Sequence, residues 1–123
     1  MGQSSPFKPI ALVVEDDPMQ RASAVMLLEE SNMGVIQCES AEAAVQVLEK
    51  LGECVSMVFT DVSLAGRLDG VELAHFSKRQ YPNIHVVVTS GLALKKVLPT
   101  GTTFLSKPWL SLDLLREADR SMH

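Results

Sequence analysis

Aliphatic runs and helical spacings alternate from one end of this chain to the other. Ile10–Val14 is continuously apolar, as expected of a strand covered on both faces. Asp17-Pro18-Met19-Gln20 follows with an N-cap, a proline suited to the first helical position and a glutamine three residues after the cap. This pattern predicts a helix over Pro18–Ser31, in which Ala22, Val25, Met26 and Leu28 or Glu29 divide the inner from the outer face. Asn32-Met33-Gly34 ends it. Val35–Cys38 is a short strand, and Ser40 caps a helix over Ala41–Leu51 with Ala41, Ala44, Val45 and Leu48 at helical spacing before Gly52 stops it.

Val55–Thr60 is a third apolar run, with Asp61 where the strand should end. After the loop "VSLAGRL", Asp69-Gly70-Val71-Glu72 has the form of a capping box that opens a helix reaching toward Tyr81-Pro82. Ile84–Val88 is a fourth strand, closed by Thr89-Ser90-Gly91. Thr103–Ser106 is a fifth, ending on Lys107-Pro108, and Leu110–Met122 reads as the last helix with Leu112, Leu115 and Ala118 inward. Strict alternation of strand and helix predicts an α/β fold, a doubly wound parallel sheet with helices on both faces. Only Leu92–Leu98 is left for a helix between the fourth and fifth strands before Pro99 and Gly101, so that helix is short or absent and the segment irregular and mobile.

Composition narrows the class. The chain has 123 residues, 46% of them hydrophobic and 21% charged, which fits one domain with a real core. That domain spans residues 9–121, behind an N-terminal tail over 1–8. Net charge is −4 and the Lys and Arg residues form no basic run, so no nucleic-acid surface is expected. Cys38 and Cys54 lack metal or redox spacing and read as reduced core thiols. No apolar run approaches a membrane span and the start lacks an apolar secretory segment, so the expected location is cytoplasmic, without membrane contact. Gly2-Gln-Ser-Ser fits a myristoylation pattern, but the motif is too short to carry weight.

Ligands of an open parallel sheet bind beyond the carboxyl ends of its strands, which makes the residues there informative. Strand one ends on Glu15-Asp16-Asp17, strand three on Asp61, strand four on Thr89-Ser90 and strand five on Lys107-Pro108. Carboxylates gathered this closely stay ionised only beside a cation. A hard divalent ion with oxygen ligands suits them: Mg²⁺, with Mn²⁺ as a substitute. With a lysine and a hydroxyl opposite, the set is suited to phosphoryl chemistry, and a carboxylate can itself be the nucleophile, forming an acyl phosphate. Asp61, alone at the end of the central strand, is the candidate.

In these motifs, "LVVEDD", "VFTDVSLAGRLDGVEL", "VVVTSG" and "FLSKPW" taken in order, the sequence resembles a response-regulator receiver domain, the phosphoacceptor module of two-component signalling. The likeness runs from about Pro9 to Arg120. It implies a flavodoxin-like sheet of order 2-1-3-4-5 and a phosphoryl group accepted on Asp61 from a histidine kinase or a histidine phosphotransfer protein. It further implies Mg²⁺ ligated by Asp16 and Asp61, with Glu15 acting through a metal-bound water and Ser63 through its backbone carbonyl. Thr89 is then the switch hydroxyl, Lys107 the partner of the phosphoryl group or of Asp61, Phe104 the aromatic switch position and Pro108 the second residue of a usually cis peptide. A downstream protein target is also implied. Glu15 replaces the commoner Asp, Ala65 the frequent Pro, the Asp61–Asp69 loop is one residue longer than usual, and the stretch from Ser90 to Phe104 is short.

Plainer roles compete with these. Asp17 reads as a helix cap, Trp109 as packing, and His75 and His85 as surface or core histidines without an acidic partner. At the level of function, one alternative is a small aspartyl-phosphate phosphatase or phosphotransferase. Haloacid-dehalogenase-like enzymes, however, need a second Asp two residues after the first, where Ser63 stands here. The other alternative is a degenerate receiver serving only as an interaction module, against which the intact Asp16, Asp61, Thr89 and Lys107 set argues.

Overall fold

The computed structural model describes residues 8–123. The expected tail over 1–8 and the Gly2-Gln-Ser-Ser pattern lie, apart from Lys8, outside the described residues. The elements run β1 (Ile10–Val14), α1 (Pro18–Glu30), β2 (Gly34–Cys38), α2 (Ala41–Leu51), a short 3₁₀ turn (Gly52–Cys54), β3 (Val55–Asp61), α3 (Gly70–Gln80), β4 (His85–Ser90), β5 (Thr103–Ser106) and α4 (Ser111–Met122). All strand pairs are parallel, in the order β2-β1-β3-β4-β5.

Alternation along the strands sorts the core into two layers. Leu12, Val14, Val58, Val86 and Val88 point to the face covered by Ala41, Ala44 and Leu48 of α2 and Leu73 and Ala74 of α3. Ala11, Val13, Met57, Phe59 and Val87 point to the face covered by Ala24, Val25 and Leu28 of α1 and Leu114 and Ala118 of α4. Burial on both faces is what the continuous aliphatic runs require.

Caps set the helix starts. Asp17 accepts from the Gln20 N–H at 3.1 Å, Ser40 from the Ala43 N–H at 3.1 Å, and Asp69 and Glu72 close a reciprocal box. At α1 only half of such a box forms: the Asp17 N–H donates to Glu15 Oε2 at 3.1 Å, which leaves the Gln20 side chain free to go elsewhere. Between β4 and β5 no helix is present. The irregular segment lies along α3, where Lys96 pairs with Asp69 at 2.6 Å, the Val97 carbonyl meets His75 Nε2 at 2.8 Å and Leu98 packs on the core.

Four expectations about side chains are corrected. Ala22 and Met26 face outward, Met26 being 61% exposed, because α1 carries apolar residues on both sides and Ala24, Val25 and Leu28 occupy the sheet face. Leu112 is exposed, and Leu114 takes the inward place together with Glu117. Cys54 is exposed on the 3₁₀ turn, while Cys38 is buried and its thiol pushed up to about 11 by desolvation. His85 has an acidic partner: its Nε2 lies 2.7 Å from Oε1 of buried Glu117, whose Oε2 accepts from Arg120 at 2.7 Å.

The helix phase is open to a direct test. Leu28→Ala is expected to lower stability by about 2–5 kcal/mol, whereas Met26→Ala should stay within about 0.5 kcal/mol of the wild type, both read from urea unfolding midpoints.

Candidate functional site

The sheet order changes direction between β1 and β3, and this is where the acids collect. Val14 pairs with Thr60, so Glu15 and Asp61 lie one residue further on side by side, and Asp61 pairs in turn with Thr89. Backbone bonds fasten this end of the sheet. The Glu15 N–H donates to the Cys38 carbonyl at 3.1 Å, the Val62 N–H to Thr89 at 2.9 Å and the Lys107 N–H to Ser90 at 2.9 Å. Arg21, one turn into α1, donates from a guanidinium nitrogen to the Glu15 carbonyl at 2.7 Å and steadies the acidic turn.

Lys107 is the electrostatic centre. Its ammonium lies 2.8 Å from Asp61 Oδ2, 3.5 Å from Glu15 Oε1 and 2.6 Å from Gln20 Oε1. Asp61 Oδ1 accepts from the Ser63 N–H at 3.4 Å. Burial is the largest influence on Glu15 and, with the nearby charge of Asp61 and the Asp16 carboxyl, lifts its pKa from 4.5 to about 7 against the Asp17 N–H and Lys107. Burial alone would lower the Lys107 pKa, but the hydrogen bond and charge of Asp61, then those of Glu15, outweigh it and raise the value.

Sequence-derived candidates therefore converge in part. Glu15, Asp61 and Lys107 share one cluster, with Asp16 exposed at its edge next to Glu15. Thr89 is buried beside Asp61 in the sheet, but its hydroxyl donates to the Leu105 carbonyl at 2.7 Å. Phe104 is half-buried against the α2/α3 side of the core, Lys107-Pro108 is a cis peptide, and Ser63 is exposed just past Asp61. Asp17 is the cap of α1, and Trp109 packs edge-on against Phe59 with ring centroids 5.6 Å apart.

Two participants were not singled out from sequence. Gln20 read only as a capping residue, although its place one turn above the acids was the available signal. Glu42, at the start of α2, accepts from the Arg67 and Leu68 N–H groups at 2.7 and 3.1 Å and so clasps the long loop after Asp61. These bonds, after that of its own N–H, hold its carboxyl below the usual range. Gly66 sits in this clasp at a φ of 106°, which favours glycine.

Gly70 has a steric reason. It starts α3 directly over the end of β3, its N–H donating to Val62 at 2.9 Å, and a Cβ there would overlap the Asp61 carbonyl oxygen. Among the described residues, no three acids, histidines or cysteines form a metal cage of their own. The donors nevertheless fit Mg²⁺, which takes one or two carboxylates and keeps several waters. One ammonium pairs with two of the three carboxyl groups, and Glu15 is left with a raised pKa, so the pocket is short of positive charge.

Two predictions follow from this geometry. Gly70→Ala should cost about 1–3 kcal/mol in urea unfolding and shift the Val62 amide resonance, because α3 must back away from Asp61. For Glu15, a folded pKa near 7 against 4.5 means the folded state holds an extra proton between those values, so this group makes stability fall as pH rises from about 4.5 to 7. Glu15→Gln should flatten unfolding free energy over that window. The raised Lys107 value acts only above its ordinary 10.5.

Comparison with known proteins places this geometry. Residues 11–118 match the response regulator receiver domain. The chain is 34% identical over 110 residues to a cyclic di-GMP phosphodiesterase of Thermotoga maritima, covering 85% of this chain and 28% of that protein. It is 30% identical over 103 residues to the sensor kinase CckA of Brucella abortus, covering 80% and 11%. It thus spans less than a third of the length of these relatives. The crystal structure of a response regulator receiver protein from Sinorhizobium medicae superimposes with a TM-score of 0.86 at 22% identity, over 96% of this chain and 97% of that one. The chain belongs to the response regulator receiver domain family of two-component systems.

Proposed function

We propose that this domain takes a phosphoryl group onto Asp61 from a phosphohistidine of a histidine kinase or histidine phosphotransfer protein. A carboxylate oxygen of Asp61 attacks phosphorus, the histidine N–P bond breaks, and its electron pair stays on the imidazole, which takes up a proton. The return step is hydrolysis: water attacks phosphorus, the acyl phosphate O–P bond breaks, and inorganic phosphate leaves with Asp61 restored. The observation that carries this reading is the buried Asp61 at the end of the central strand, 2.8 Å from the Lys107 ammonium and flanked by Glu15.

Each residue has a task in that chemistry. Lys107 pairs with charge on the transferred group, and Thr89, beside Asp61 in the sheet, reaches it by giving up its bond to the Leu105 carbonyl. Because Leu105 follows Phe104, release of that bond loosens β5 next to the half-buried aromatic ring and gives the site a route to a downstream protein surface. Asp16, Asp61, the Ser63 carbonyl and, through a water, Glu15 would hold Mg²⁺, which supplies neutralising charge for the phosphoryl oxygens. The domain acts in signalling, catalysing only its own phosphorylation and dephosphorylation. No described helix is long and apolar enough to cross a membrane, and cytoplasmic action is part of the proposal.

Incubation with acetyl phosphate and Mg²⁺ should label the wild-type chain and leave Asp61→Asn unlabelled, and chelation of the metal should abolish labelling. Lys107→Ala should slow it by a factor on the order of 10². Label retained on Asp61→Asn would refute this function.

A further inference from the structure

The three donors of the Lys107 ammonium are all spent: one on Asp61, one on Glu15 and one on Gln20. Two of these acceptors are carboxylates that would face a divalent cation. The third is a neutral amide on α1, and at 2.6 Å it makes the shortest of the three contacts. A divalent cation held by Asp16 and Asp61, with Glu15 acting through a water, would repel the ammonium and supply the neutralising charge in its place. Gln20 is then the acceptor outside the acid cluster that remains to hold it.

The position of Gln20 is built, not incidental. Asp17 caps α1 through the Gln20 N–H, Pro18 opens the helix, and Arg21 ties the same turn to the Glu15 carbonyl. The amide would ordinarily reach back to the Asp17 N–H, but Glu15 Oε2 already accepts there. Beyond Lys107 lies an open cleft lined by Leu27, Pro108, Trp109 and Ser111, so an ammonium without Gln20 has two resting places. It falls back on Glu15 and Asp61 or swings out into the cleft.

The geometry points to Gln20 as a positioning residue that shares the Lys107 ammonium with Asp61 and Glu15 at the rim of the acid pocket, so that the ammonium keeps a partner on α1 and stays beside Asp61 when a divalent cation takes up the two carboxylates. This rests on the phosphoacceptor reading and adds to it a residue on α1 that sets metal affinity through Lys107.

The test is a Mg²⁺ titration without phosphoryl donor, followed by Trp109 fluorescence and by calorimetry, on wild type, Gln20→Met, Lys107→Ala and the double variant. Methionine keeps the length of the side chain and removes the acceptor. Gln20→Met should weaken Mg²⁺ binding roughly threefold to tenfold when Lys107 is present. The same change should leave affinity unaltered in the Lys107→Ala chain. Equal weakening in both backgrounds, or none in either, overturns the proposal, because Gln20 would then act on the metal or the helix directly or not at all. A wild-type chain that binds no Mg²⁺ overturns it together with the phosphoacceptor reading. A chain that binds Mg²⁺ with the expected dependence on Gln20 but takes no label from acetyl phosphate overturns the phosphoacceptor reading alone.

Discussion

Mutual repulsion of carboxylates at one end of a parallel sheet is the constraint around which the rest of this domain is arranged. Glu15 and Asp61 are buried and share one ammonium, and the exposed Asp16 adjoins them. The sheet brings them together through its order: β1 and β3 are neighbours, and their last residues are adjacent wherever their registers agree. A fold that only minimised free energy would separate these charges or cover them with apolar groups. Keeping them together costs stability, and the raised pKa of Glu15 is the visible part of that cost. Such a cost is intelligible where the pocket exists to receive a cation and an anionic group.

Much of the surrounding structure holds that unfavourable arrangement in place. Arg21 and Gln20 approach from α1, Glu42 clasps the following loop from α2, and the start of α3 sits over Asp61 at a position that only glycine fits. These contacts reach the backbone or the ammonium and leave the exposed Asp16 carboxylate unencumbered. These bonds fix the backbone around the acids, while the Asp61 carboxylate itself is held by only two, from Lys107 and the Ser63 N–H. Thr89 shows the same economy: one bond to Leu105 fixes its hydroxyl, and breaking that bond alone frees it.

How much of this was legible in the sequence depends on the range of the interaction. Strand runs, caps and stop signals are local, so β1, α2 and β5 carry the expected bounds and the other strands and α-helices differ by at most two residues at either end. The acids, the lysine and the threonine were legible because each sits where a strand ends, and strand ends of an open sheet converge. The phase of α4 was legible only in part, with Ala118 inward as expected and Leu112 not. His85 and Arg120 make Glu117 an inward residue, a charge where periodicity counts only apolar positions, and the pair spans 32 residues of sequence. In α1 the apolar residues lie on both sides of the helix, so spacing alone cannot choose between Met26 and Leu28. Gln20 escaped for a third reason: its capping role was the local expectation, and a distant ammonium competed for it.

The missing helix between β4 and β5 leaves the placement of Asp61, Thr89 and Lys107 intact for a geometric reason. Asp61 and Thr89 are placed by β3 and β4, and Lys107 by β5 through the pairing of Thr89 with Leu105 and of Ser90 with Ser106. None of these constraints passes through residues 91–102, whose own contacts run to α3 through Asp69 and His75. The two ends of the segment are fixed by the sheet and its middle by α3, so its conformation answers to Asp69, eight residues beyond Asp61, more directly than to the strand ends. The α3 cap thus ties Lys96 to the end of the loop after Asp61 through Asp69, by contacts separate from the one that joins Thr89 to β5.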